Sequence, residues 1–181
     1  EEHTNAAIAA LLHDIGHGPF SHTLERLVHQ ATGKDHVELT RELIAGTRTL
    51  PDVNVEPLPA LLERHDIEPA DIVSILSNHR RHLSDIIHGP IDADQIDYLR
   101  RDAHYTGVAY GVIDFDRIMQ TLVLHDGRVM VTKKGISALE SMLVARSLMY
   151  SSVYLHKTVR IAELMLLRAV EHAASFDFSP L

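Results

Sequence analysis

The sequence predicts an all-α fold, an irregular bundle of packed helices carrying one small β-hairpin near residues 121–132. Three observations carry that expectation. Apolar residues recur at helical spacing in most segments, Thr, Asn and Asp stand where helices need caps, and one pair of short alternating runs flanks an Asp-Gly turn signal.

Thr4 and Asn5 are candidate caps for the small-residue run Ala6, Ala7, Ile8, Ala10, Leu11 and Leu12, which predicts a helix ending near Gly16. Gly16, Gly18 and Pro19 break it, and the pattern resumes over residues 20–31 with Leu24, Leu27 and Val28 at helical spacing. The histidine-rich stretch between is therefore a turn. Asp35 caps a further amphipathic helix to about Ala45, residues 51–59 read as a loop, and short helices follow near 60–64 and 69–77. Beyond Gly89 and Pro90, residues 93–105 read as a strongly polar helix, the kind that carries site residues when buried. Residues 121–124 and 128–132 alternate around His125, Asp126 and Gly127 as a hairpin. From Gly135 a pattern rich in Leu, Met and Ala runs to about Ala174 with one break near Tyr154. Within it, Leu164 to Leu167 can either continue the core or form a subunit interface.

At 181 residues the chain suits a single domain that buries a sizeable core. It contains no cysteine, so disulfides and thiolate metal sites are excluded, and imidazole and carboxylate must hold any metal. No apolar run approaches the roughly 18 residues that suggest a membrane span, and no targeting segment is evident, so a soluble cytoplasmic protein is expected. A net charge of −8, with 17 basic against 25 acidic residues, argues against an extended nucleic-acid surface, which needs clustered cations. Fourteen histidines in a chain without tryptophan point instead to metal or proton chemistry.

Residues 11–22 gather His13, Asp14, His17 and His22 around one glycine-rich turn. Neighbouring His and Asp at a helix end can reach one cation, because the chain leaves helical geometry there. His65-Asp66 is an internal control: it lacks the glycines and the following histidines, and Glu63, Arg64 and Glu68 mark it as a surface helix end. Downstream, Asp94, Tyr98, Arg101 and Asp102 recur at spacings that share a helix face, with Arg101 and Asp102 as an expected local ion pair. Arg146, Tyr150, Tyr154 and Lys157 make a similar stripe, two cations flanking two phenols, suited to phosphate oxygens.

The 13–22 stretch resembles the signature of the HD-domain phosphohydrolases, in particular the deoxynucleoside triphosphate triphosphohydrolase branch. The likeness extends to His36, to residues 92–98 with Arg101 and Asp102, and to Arg146 with residues 154–157, in the family's order. It covers roughly residues 5–160. The resemblance implies one divalent ion (iron, manganese, magnesium, nickel or zinc) held by His13, Asp14 and Asp94. It also implies a further histidine ligand on a preceding helix. His3 lies too close in sequence to serve, so residues 1–181 are expected to be a single HD-type domain lacking that upstream helix. His17, Glu25 and His36 are implied as catalytic residues, and His22, Tyr98, Asp102, Arg146, Tyr154 and Lys157 as contacts to a nucleotide substrate. A homo-oligomer is implied as well.

Three residues depart from the family pattern: Gln95 stands for Lys, Glu25 for Asp and Tyr150 for His. The phosphohydrolase expectation is therefore stronger than the triphosphate one. Arg100, Arg101 or Arg80 and Arg81 are candidates to replace the lost cation. The leading expectation is release of triphosphate from a deoxynucleoside triphosphate. The alternatives are a phosphomonoesterase or phosphodiesterase on another nucleotide, and a nucleotide-sensing module without turnover.

Overall fold

The computed structural model describes residues 2–49, 55–79 and 81–174. Among the described residues the chain forms ten α-helices and a two-stranded antiparallel hairpin, the all-α architecture expected. Part of the expected 51–59 loop and Arg80 lie outside the described residues.

The first three helices are α1 (Glu2–Leu12), α2 (Ser21–Thr32) and α3 (His36–Ala45). Asp35 caps α3 as expected, accepting from the Glu38 backbone N–H at 2.8 Å while the Glu38 carboxylate accepts from the Asp35 backbone N–H at 3.1 Å. This reciprocal capping satisfies two donors that a helix start otherwise strands. Gly46 ends α3 in the left-handed region, where a side chain is costly. Two short helices with Pro in their first turns follow, α4 (Leu58–Glu63) and α5 (Pro69–Leu76). His65 and Asp66 lie exposed just past α4, as their charged neighbours foretold.

Next comes α6 (Arg81–His88), a helix the sequence pattern did not reveal. Its eight residues bury Leu83, Ser84, Asp85 and Ile87, a stripe in which half the members are polar and therefore silent to apolar periodicity. The polar helix α7 (Ala93–Thr106) follows, and Asp114 then caps the short α8 (Phe115–Thr121), also unexpected. Thr121 ends α8 rather than opening the hairpin, because its hydroxyl donates back to the Arg117 carbonyl at 2.7 Å. Strands β1 (Leu122–His125) and β2 (Arg128–Val131) pair Leu122 with Val131 and His125 with Arg128. Asp126 and Gly127 both take positive φ, as the tight mirror-image hairpin turn requires.

The long terminal pattern splits into α9 (Ile136–Met149), a wide turn at Tyr150–Tyr154 and α10 (Lys157–Ala174). In the turn the Leu155 N–H donates to the Tyr150 carbonyl at 2.8 Å, one residue further back than α-helical bonding reaches. No residue of α10 is buried, and Leu164 is 52% exposed, so the core alternative for residues 164–167 does not hold. No helix among the described residues is long and apolar enough to cross a membrane.

Burial concentrates in two clusters. One joins Ala9, Ile44, Leu62, Ile72, Ile75 and Ile87 from α1 and α3 to α6, and the other joins Ile96, Leu99, Ile118, Met142 and Met149 from α7, α8 and α9. Each buried Ile, Leu or Met side chain among them contributes about 1.5–3 kcal/mol on burial. The hairpin is tied to α6 by buried Asp85, whose carboxylate accepts from Arg128 Nε at 2.7 Å and Nη2 at 2.9 Å and from the Val129 backbone N–H at 3.0 Å.

The Arg128 hydrogen bonds hold the Asp85 carboxyl below its ordinary range, against the desolvation that would raise it. Folding then favours the ionised form, so this contribution is present above about pH 4 and is lost as pH falls through the lowered value. Arg128→Met leaves a buried carboxylate with one N–H partner and is expected to cost roughly 3 kcal/mol at neutral pH. Urea melts should show that gap between variant and wild type narrowing towards acid; a gap that does not change with pH would contradict the pairing.

Candidate functional site

The turn after α1 is built by close approach. The Gly16 N–H donates to Thr40 Oγ1 at 2.9 Å, and that hydroxyl donates to the His13 carbonyl at 3.1 Å. Thr40 is buried on α3 and satisfies two backbone groups that the end of α1 leaves open. A Cβ on Gly16 would meet the His36 carbonyl oxygen at 2.2 Å, so only glycine lets the turn lie this close to α3. Gly18 has no such constraint, its nearest contact being Val28 at 3.5 Å. The left-handed backbone falls instead on Phe20 and Ser21 (φ 59° and 42°).

His13 accepts a defined role from this geometry. Its Nδ1 lies 2.7 Å from the Ala10 carbonyl oxygen, a contact that requires the proton on Nδ1, so that in the neutral imidazole Nε2 is the free lone pair. That Nε2 stands 3.4 Å from Asp14 Oδ1. With a neutral imidazole these two acceptors leave room for a cation between them, since two ligands each about 2.1 Å from a tetrahedral ion are themselves about 3.4 Å apart. Asp94, at the exposed start of α7, is close enough to feel both groups: desolvation raises its carboxyl, Asp14 and Asp92 raise it further, and His13 opposes them. A second carboxylate near this imidazole and carboxylate pair suits a divalent ion. His88, at the end of α6, joins them with its ring centroid 6.1 Å from that of His13. Desolvation, then His13, lowers its imidazole below the ordinary range.

His17, His22, Glu25 and His36 form a second group whose ligand atoms all lie within 4.8 Å of one another. Glu25 accepts from His22 Nδ1 at 3.1 Å and from His36 Nδ1, while His17 stacks on His36 with centroids 4.0 Å apart. Desolvation works against the Glu25 carboxylate, but the two histidine hydrogen bonds win and hold it at about 2. An ionised Glu25 fixes both imidazoles with Nδ1 protonated and Nε2 turned outward. This set can chelate a cation, yet it is already satisfied without one. His17 bridges the groups, its Nε2 being 3.8 Å from Asp14 Oδ1, and burial and then His36 lower its imidazole.

Across the site, α7 meets α9 and the wide turn. The Tyr154 hydroxyl donates to Asp102 Oδ2 at 2.7 Å, and Arg146 Nη1 donates to Gln95 Oε1 at 3.1 Å. Tyr98 and Tyr150 both pack edge-on against Tyr154. The expected Arg101–Asp102 pair does not form: Arg101 turns to Asp97, one helical turn back, and Asp102 is left for Tyr154. Lys157 opens α10 in an exposed position beyond the wide turn, so the stripe expected from spacing is interrupted before it. Arg100 lies over the Phe115 ring and does not replace a clamp cation.

A family model described as HD domain matches residues 1–102, and one described as HD associated region matches residues 113–178. The chain belongs to the HD domain family. A crystal structure of a phosphohydrolase from Bacteroides thetaiotaomicron is 37% identical, superposes with a TM-score of 0.77, and is matched over 96% of this chain and 41% of its own. An uncharacterised protein of Methanocaldococcus jannaschii is 41% identical over 90% of this chain and 32% of itself. A deoxynucleoside triphosphate triphosphohydrolase of Dictyostelium discoideum is 29% identical over 93% of this chain and 33% of itself. The chain thus spans about a third of the length of these curated relatives.

Within the HD domain, reading the sequence alone missed Thr40 and His88. Nothing in a lone threonine signals a turn staple, whereas His88 sits next to Gly89 and Pro90 on a helix that periodicity did not reveal. Burial first, and then Tyr150, push the Tyr98 phenol up to about 12. A raised phenol pKa favours the folded state below about pH 10 and loses that contribution as pH climbs towards 12. An alkaline ultraviolet titration should therefore show late phenolate ionisation that Tyr98→Phe reduces by one group, the remainder belonging to Tyr154, whose phenol is raised by burial and by Asp102. A variant whose titration matched wild type throughout would refute the burial argument.

Proposed function

We propose that the protein is a metal-dependent phosphohydrolase that splits deoxynucleoside triphosphates into deoxynucleoside and triphosphate. The observation that carries this reading is the acceptor-to-acceptor approach of His13 and Asp14 with Asp94 beside them, next to an oriented imidazole set and an Arg-Tyr cluster. The similarity to the deoxynucleoside triphosphate triphosphohydrolase of Dictyostelium discoideum supports the substrate class.

His13, Asp14 and Asp94 would hold the divalent ion, one of iron, manganese, magnesium, nickel or zinc. When bound, the ion supplies Lewis acidity at a phosphoryl oxygen and lowers the pKa of water, which also lets a chain of net charge −8 take an anionic substrate. Glu25 holds His36 with its Nε2 outward, placing a proton acceptor or donor at the reacting phosphate. His17, stacked on His36 and facing Asp14, links that proton relay to the ion ligands. His22, bonded to the other Glu25 oxygen, contacts the phosphate nearest the nucleoside. Arg146 offers a planar donor fork to the phosphate chain and Lys157 a point charge at its exposed end. Asp102 fixes the Tyr154 hydroxyl, and Tyr98 completes the wall beside it.

A second reading, a phosphomonoesterase or phosphodiesterase, is favoured by one feature: Gln95 adds no charge where a cation would suit a long phosphate chain. Incubation of the full-length, metal-loaded protein with deoxynucleotides separates the readings. Inorganic triphosphate supports the first, single phosphate the second, and binding without product a sensing module. The exposed apolar side chains of α10 favour assembly of several copies, which light scattering tests.

His13→Ala and Asp14→Ala are each expected to abolish metal retention and to lower turnover by at least about a hundredfold, with helical circular dichroism unchanged. Full hydrolysis by either variant would sink the assignment. Lys157→Ala should raise KM while leaving metal content alone; loss of metal without a change in KM would remove it from the clamp.

A further inference from the structure

The geometry points to Gln95 as a positioning residue that fixes Arg146, the donor fork of the phosphate clamp, in register with the metal ligand Asp94; this rests on the phosphohydrolase reading above. Asp92 is buried two residues before Asp94 and spends both carboxylate oxygens on residue 95. Its Oδ1 accepts from the Gln95 backbone N–H at 2.8 Å, and its Oδ2 accepts from Gln95 Nε2 at 2.9 Å. An amide whose nitrogen is committed to a carboxylate must turn its carbonyl the other way. There Gln95 Oε1 accepts from Arg146 Nη1 at 3.1 Å.

The relay runs from the cap of α7 to the clamp on α9 and needs both ends of the amide. A carboxylate at position 95 would face Asp92 and neutralise Arg146. An ammonium would satisfy Asp92 but repel the guanidinium, and an apolar chain would leave a buried carboxylate oxygen without its donor. Only a neutral group with a donor and an acceptor links an anion to a cation while leaving the cation's charge for a ligand. One of the five Arg146 N–H groups is spent on Gln95, and the guanidinium carbon is placed 5.6 Å from the Tyr150 ring centroid. Asparagine has the right ends but is one methylene too short to keep both contacts.

Gln95 therefore acts through Arg146 and not on the substrate itself. Gln95→Met, Gln95→Asn, Arg146→Met and the Gln95→Met, Arg146→Met double variant are compared in the full-length, metal-loaded protein, with KM, kcat, metal content and melting temperature measured for each. Gln95→Met is expected to raise KM for deoxynucleoside triphosphate about tenfold, within the range that an ångström of misplacement costs, with metal content unchanged. Gln95→Asn keeps the cap of α7 and should show the same rise with an unchanged melting temperature, so a fold defect in Gln95→Met does not obscure the result. In the Arg146→Met background, Gln95→Met should alter KM by less than about twofold, because residues acting as one unit are not additive. Unchanged KM in Gln95→Asn, or a full tenfold effect persisting without Arg146, would overturn the inference while leaving the hydrolase reading intact. Absence of any nucleotide hydrolysis by the wild type would overturn both.

Discussion

The site depends on one buried hydroxyl. Thr40 Oγ1 accepts from Gly16 and donates to His13, closing the two backbone groups that an abrupt end of α1 would otherwise leave bare. Because those groups are satisfied, the chain can leave helical geometry straight after Leu12, and the adjacent side chains of His13 and Asp14 converge instead of splaying around a helix. Close approach to α3 follows from the same contact. It brings His17 onto His36 at the start of α3, where the Asp35 cap has already set the helix origin. A single threonine thus places His13, Asp14, His17 and His36 in one frame.

The second frame is α7, which separates its duties by face. Ile96, Leu99 and Ala103 enter the apolar cluster shared with α8 and α9, with Tyr98 packed against it, while Asp102 turns to the Tyr154 hydroxyl. Apolar burial supplies the stability that tolerates this concentration of carboxylates, since exposed ion pairs such as Arg101 with Asp97 contribute little. The site polar groups are instead bonded into chains: Asp92 to Gln95 to Arg146, Asp102 to Tyr154, and Glu25 to two imidazoles. Such chains hold each group at one orientation.

The neutral Gln95 and the wide turn at Tyr150–Tyr154 shape the side where α7 meets α9. The turn shifts the helical register after Tyr150, so Tyr154 reaches Asp102 while Lys157 begins a new helix at the exposed edge. Two cations expected on one stripe are therefore unequal, Arg146 held within a hydrogen-bonded frame and Lys157 exposed to solvent.

Much of this was fixed by local chemistry that a sequence displays. Helical spacing, the Asp35 capping box, the Asp-Gly hairpin turn and the His13 to His22 cluster all depend on residues within a few positions of one another. Helix α6, with polar Ser84 and Asp85 inside, escaped because its burial is decided by partners: Asp85 is inside only because Arg128 arrives from the hairpin. Likewise Asp102 chose Tyr154 over its neighbour Arg101, His88 reached His13 across distant sequence, and residues 164–167 stayed outside the core. Sequence by itself determined which side chains were available and how each helix starts and stops. Only tertiary packing decided which acceptor met which donor, because those bonds span tens of residues and are selected by burial, where an unpaired polar group is too costly to keep.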